Sequence, residues 1–256
     1  MRAPDDLREL VEASLAGLWL DPSLGGLEEP MRYALAGGGK RIRPVLCLAV
    51  CEAAGGQAND ALGAATALEL VHTFSLVHDD LPALDDDDER RGRPSLHVAF
   101  GEAVALLAGD ALLAEALGVA ARCERPEIAR ELAQATVGMI GGQYLDVTGA
   151  DVPLDALHRL KTGRLFAAAV GLGLWSAGVS EPEQRLWRAF AEELGILFQA
   201  VDDVLDGDGY AIELGTDGAR RLALDTAGRA HDRLAALDAD TTVLEELVDG
   251  LAVRTA

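Results

Sequence analysis

A chain of 256 residues, half hydrophobic and a quarter charged, falls in the ordinary globular range and can bury one large core, so one domain over residues 1–256 is expected. Its formal charge of −21 repels phosphate backbones and anionic lipid, which sets aside nucleic acid and membrane surfaces as main partners. Cys47, Cys51 and Cys123 show no metal-ligand pairing, the N-terminus is acidic, and the longest uncharged stretch, from Leu165, is shorter than the ~20 residues of a membrane span, so a cytoplasmic protein is expected.

Ala, Leu, Glu and Arg dominate, apolar residues recur at three and four positions, and strand signals are absent, which predicts an all-α helical bundle. Helices are expected over Asp5 to Trp19, Pro44 to Ala54, Ala58 to Asp80, Glu102 to Arg122, Glu127 to Asp146, Leu154 to Ser176, Glu181 to Asp206, Thr216 to Leu237 and Thr242 to Val253. From Ala58 onward they are apolar on more than one side, as in central bundle members whose cofactor sites lie between facing helices.

Ahead of the second helix, GGGKRIRP places Lys40, Arg41 and Arg43 near a helix N-terminus, where anions are favoured, although a flexible loop with solvated arginines has the same composition. Lys40 and Lys161 are the only lysines against twenty arginines, and both fall in candidate anion-binding motifs. In VHTFSLVHDDLPALD, His72 and Asp79 share a helix face, and Pro82 breaks the helix so that Asp85 can fold back toward Asp79. Alone, the run through Asp88 would read as a solvated acidic turn, and Arg90 and Arg91 as its local charge balance.

Further along, GGQYLD offers Gln143 and Asp146, and HRLKTGRLF offers Lys161 and Thr162 in an apolar helix where a lysine needs an anion. In FQAVDDVLD, Asp202 and Asp206 project from one face with Gln199 a turn earlier. The segment from Asp202 also partly fits a calcium loop, but Val204 cannot ligate and no second such loop exists. Two carboxylate-tipped helices facing each other suit Mg2+, which keeps waters and bridges phosphates.

Taken in order, GGGKRIRP, VHTFSLVHDDLPALDDDDERRGRPSLH, GDALL, GGQYLD, LKTG and FQAVDDVLD resemble the trans-isoprenyl diphosphate synthases over Gly37 to Asp206, most nearly the short-chain bacterial farnesyl and geranylgeranyl enzymes. The resemblance implies a cavity between two aspartate-bearing helices, where an allylic diphosphate (dimethylallyl or geranyl) ionises and is attacked by isopentenyl diphosphate. It implies three Mg2+ ions with Asp79, Asp85 and Asp202 as ligands, supported by Asp80, Asp203 and Asp206. By the same resemblance Arg90, Lys161 and Gln199 hold the allylic diphosphate, Thr162 steadies the cation, and Lys40, Arg43, His72 and Arg91 grip isopentenyl diphosphate. Phe74, about 7.5 Å down the helix from Asp79, is expected to stop the chain at farnesyl diphosphate, and a homodimer is implied.

One departure stands out: after Asp206 the family has a longer, lysine-bearing loop, where this chain reads GDGYAIELGTDGARRL without a lysine. It motivates a rival reading as a non-catalytic partner subunit, with Arg220 or Arg221 as candidate substitutes for the lysine. A terpene cyclase is disfavoured because both aspartate motifs and the basic motif are retained.

Overall fold

The computed structural model describes residues 1–253; Arg254, whose reach toward the site the sequence leaves open, lies outside them. In chain order the helices are α1 (Pro4–Ala16), α2 (Glu28–Leu35), α3 (Ile42–Ala53), α4 (Ala58–Asp79), α5 (Leu96–Phe100), α6 (Glu102–Ala121), α7 (Pro126–Val147), α8 (Leu154–His158), α9 (Arg164–Ser176), α10 (Arg185–Asp206), α11 (Gly209–Leu214), α12 (Thr216–Ala235) and α13 (Thr242–Ala252). The fold is all-α, and the nine expected helices are present with ends displaced by about three residues or fewer, two of them subdivided.

The expectation of no strands needs a small correction, because Glu89–Arg90 (β1) pairs antiparallel with Arg93–Pro94 (β2). This hairpin follows the acidic run and turns Arg90 back toward α4. The expected helix over Leu154 to Ser176 is interrupted by a wide π turn at Arg159–Gly163. At Gly142 on α7 a Cβ would stand 2.5 Å from the Lys161 backbone nitrogen, so the absence of a side chain there lets the two backbones approach and seats the turn against α7.

α4 is the central helix. It packs against α3, α6 and α9, and Leu68, Leu70, Val71 and Phe74 are buried on different sides of it, as expected for a helix apolar all round. Each large side chain so buried contributes about 1.5–3 kcal/mol relative to exposure. A capping box of Gln57 and Asp60 starts the helix, which ends at Asp79, three residues ahead of Pro82. α10 packs on α9 and α12 and stops at Gly207, whose φ of 75° makes a left-handed cap. α6 has the length and apolar composition of a membrane span, yet its broadest packing is against α4.

Candidate active site

The ends of α4 and α10 open into one cavity of about 970 Å³, also walled by α3, α7, the π turn and α9. Its walls carry both signs of charge. Lys40, Arg43 and Arg91 are basic lining residues, and Asp202, also lining, lies near enough to act on the Arg43 charge. Arg91 reaches from the hairpin loop and donates to the Gly38 carbonyl. Arg43 lies 3.3 Å from His72 Nε2 and rests on the rings of Phe166 and Phe198, at 4.7 and 5.2 Å from their centroids.

Burial pulls the Arg43 guanidinium down to about 10, which leaves it cationic at neutral pH, and its buried Nε has no hydrogen-bond partner. Burial, reinforced by Arg43 and Arg91, holds His72 well below the usual imidazole range, so it is a neutral group among cations. Arg41 departs from expectation. Its φ of 47° turns the side chain into the core, where it bonds Glu12 at 2.8 Å, Glu69 at 2.5 Å and the Leu35 carbonyl. It is the structural partner of two glutamates, one of them the buried Glu69, whose own carboxyl burial pushes up against the pull of Arg41.

Asp79 sits in the last turn of α4, and the Asp85 N–H donates to the Asp79 carbonyl at 2.9 Å, so the chain folds back after Pro82 as expected. Burial raises the Asp79 carboxyl to about 6, against the opposing pull of Lys161, and raises Asp85 for the same reason. Asp202 faces in from α10, and Lys161 and Thr162 from the π turn. Lys161 donates to Asp146 at 2.5 Å, which supplies the anion that a lysine in this apolar helix requires. Gln143 lines the same wall with both polar atoms of its amide buried and unpartnered.

Several expected residues sit differently. Asp80 is buried and bonded to Arg90, whose Nε is 2.9 Å away, and Arg90 also reaches Asp87 at 3.2 Å, so the residue expected to hold substrate braces the acidic motif while still lining the cavity. Gln199 is not among the lining residues; it donates to Asp203 at 2.5 Å because that buried carboxylate needs donors. Asp203 also accepts from the Tyr210 N–H at 2.7 Å, so the would-be calcium loop is a helix-to-helix latch. Asp206 is exposed, and neither Arg220 nor Arg221 lines the cavity.

Among the described residues no three His, Cys, Asp or Glu side chains converge as a ready-made metal cage. The donors nonetheless fit Mg2+. They are hard carboxylate oxygens on opposite walls, leaving room for water and phosphate oxygens as the remaining ligands. Asp79, the last residue of α4, also stands at a helix C-terminus, where the backbone dipole disfavours negative charge by about 0.3–1 kcal/mol and a cation relieves it.

The polyprenyl synthetase family model matches residues 25–219, and the chain belongs to that family of trans-prenyltransferases. It is 46% identical over 193 residues to a geranylgeranyl diphosphate synthase of Cyanophora paradoxa, covering 70% of this chain and 64% of the relative. It is 43% identical over 218 residues to the large subunit 1 of a heterodimeric chloroplastic geranylgeranyl pyrophosphate synthase of Arabidopsis thaliana, covering 78% and 59%. The chain thus spans about three fifths of the length of these curated relatives. Among solved structures, an FPP/GFPP synthase from Zymomonas mobilis superposes with a TM-score of 0.87 at 32% identity, covering 97% of each chain.

Glu69, His78 and Ser75 also line the cavity without having been singled out from sequence. An acid within the apolar run ALELVH was the available signal for Glu69, since a buried carboxylate implies a buried cation.

Proposed function

We propose that this chain condenses isopentenyl diphosphate with an allylic diphosphate to make a short-chain prenyl diphosphate. The observation that carries the reading is that one cavity is lined both by the cations Lys40, Arg43 and Arg91 and by the carboxylates Asp79 and Asp202 from two different helices, together with apolar wall. A diphosphate held by the cations needs no metal, whereas one brought to the carboxylates needs a metal cation to approach them at all.

In this reading Asp79, Asp85 and Asp202 would hold Mg2+, which would supply positive charge to a departing diphosphate. Lys161 and Arg90 contact the allylic diphosphate, and the Thr162 hydroxyl faces the carbon that becomes cationic. The allylic C–O bond breaks, the double bond of isopentenyl diphosphate forms the new C–C bond, and the proton lost from the adjacent carbon passes to the released diphosphate. Gln199, whose amide nitrogen donates to Asp203, acts in this reading by orienting the Asp202–Asp203 pair.

Two products have support. The names of the curated relatives favour geranylgeranyl diphosphate. Farnesyl diphosphate is favoured by Phe74, a ring in the cavity wall that is 5% exposed. The proposal includes a homodimer in a reducing cytoplasm, supported by three free cysteines and by apolar side chains left in solvent on α6 and α7, among them Leu107, Val137 and Tyr144.

Incubation with Mg2+, isopentenyl diphosphate and dimethylallyl, geranyl or farnesyl diphosphate, with products sized by chromatography, tests the reading. Elongation is expected, and the longest product chooses between farnesyl and geranylgeranyl. A hydrocarbon product, or no reaction, overturns the proposal. Phe74→Ala is expected to shift products to longer chains; an unchanged profile removes Phe74 from that role.

A further inference from the structure

Three helices meet around the Asp203 carboxylate, which is buried. From one turn earlier in α10, Gln199 donates to its Oδ1 at 2.5 Å, and from the start of α11 the Tyr210 N–H donates to its Oδ2 at 2.7 Å. His158, the last residue of α8, sets Nε2 3.9 Å from the same Oδ2. Its ring packs edge-to-face on the ring of Tyr210, with centroids 4.9 Å apart at 77°. The short connection after Asp206 permits this approach. Gly207 and Gly209 have φ of 75° and 43°, so the chain reverses at once, and a Cβ at Gly209 would collide with the Asp203 carboxylate.

Neither His158 nor any residue of α11 lines the cavity, so this cluster does not touch substrate. Its members are joined to residues that do line it. Asp203 follows Asp202, and His158 leads directly into the π turn that carries Lys161 and Thr162. We infer that Tyr210 and His158 are positioning residues that clamp the wall presenting Asp202 to the turn presenting Lys161 and Thr162, and so fix the spacing of the groups that meet the allylic diphosphate. The inference rests on the prenyl-transfer reading of the same cavity. In that reading the short connection works as a fixed brace behind the allylic half of the site. The other half is carried separately, since Lys40, Arg43 and Arg91 stand on the glycine-rich turn, the first turn of α3 and the hairpin loop. Loss of the clamp therefore weakens one substrate and spares the other. The contacts use the Tyr210 ring and backbone N–H, so its hydroxyl is dispensable.

The test compares purified full-length wild type with Tyr210→Ala, Tyr210→Phe, His158→Ala and Gly209→Ala, measuring KM for each substrate with Mg2+ present and amide exchange with neither metal nor substrate. Residues that orient a metal-binding carboxylate typically matter by 10–100-fold, so Tyr210→Ala and His158→Ala are each expected to raise KM for geranyl diphosphate by about tenfold while KM for isopentenyl diphosphate stays within about twofold. Gly209→Ala, which displaces the latch from Asp203, is expected to reproduce that split. Tyr210→Phe is expected to keep wild-type values. In Tyr210→Ala, exchange is expected to rise over Leu154–His158 and Arg159–Gly163, although the substitution lies in α11. Wild-type KM values in folded Tyr210→Ala and His158→Ala overturn this inference alone. So does an equal rise for both substrates, or a Tyr210→Phe as impaired as Tyr210→Ala, or unchanged exchange in the π turn. Wild type that does not elongate overturns the prenyl-transfer reading and this inference with it.

Discussion

At the end of α4, the buried carboxylate of Asp80 is held by a charged partner, the Arg90 guanidinium delivered by the hairpin. At the end of α10, its counterpart Asp203 is held chiefly by neutral donors, the Gln199 amide and the Tyr210 N–H at the start of α11. Asp79 and Asp202, one residue earlier in each case, line the cavity. In each doublet one acid faces the cavity and the next is buried in the packing, which is a consequence of the roughly 100° rotation between successive residues on a helix. The difference in partner predicts a difference in cost. Removing Asp80 strands a guanidinium, whereas removing Asp203 leaves an amide and a backbone N–H in need of acceptors and takes the carboxylate from beside His158, 3.9 Å away.

The comparison breaks most directly at the cavity-facing members. Asp79→Asn and Asp202→Asn are each expected to cut turnover by at least ~100-fold with an intact fold, because each removes charge at the site of leaving-group stabilisation. Near-normal turnover in a folded variant rejects the assignment. For the architectural members, Asp80→Ala is expected to destabilise by about 2–3 kcal/mol in urea titrations, at the low end for a broken buried pair because Arg90 is a third exposed and can still reach Asp87. Asp203→Ala is expected to cost about 1–2 kcal/mol, with amide exchange rising in α11. Equal losses, or a larger loss at Asp203, would contradict the distinction between charged and neutral partners.

The smallest effect concerns protons. Because burial places Asp79 near 6, its carboxyl is protonated below that pH and ionised above it, so a cation competes with the proton and its binding strengthens as pH rises. Mg2+ affinity measured calorimetrically in the presence of diphosphate is expected to fall by about tenfold from pH 7 to pH 5. A flat profile removes Asp79 from the cation site.

Long apolar helices and the two acid-tipped helix ends were legible in the chain because periodicity and Pro82 report on local geometry. What was illegible depended on partners distant in sequence or on segments too short to show a period. Arg41 stands in a loop that reads as anion-binding, yet its role is decided by Glu12 and Glu69, about 29 residues away on either side. Gln199 shares a face with Asp202 by periodicity, but the buried Asp203 claims its amide. α5 and α11 span five and six residues, and α2 hides behind Pro30, which is tolerated because it falls in the first turn, where no backbone donor is needed. His78 was not singled out, since the Gly109 notch that seats its ring lies on another helix.

The wide turn at Arg159–Gly163 has a consequence of its own. A π turn carries one more residue than the α-helical turn it replaces, so it takes up a surplus residue while α8 and α9 stay in phase. Deleting a single residue there would close the turn and leave the two helices in line, but would shift residues within the turn by up to about 100° around the axis. Lys161 and Thr162 could not both keep their present bearings, and Lys161 would lose Asp146. One surplus residue, wedged where α7 offers only a glycine, thus keeps the lysine aimed at the space between the two acidic walls.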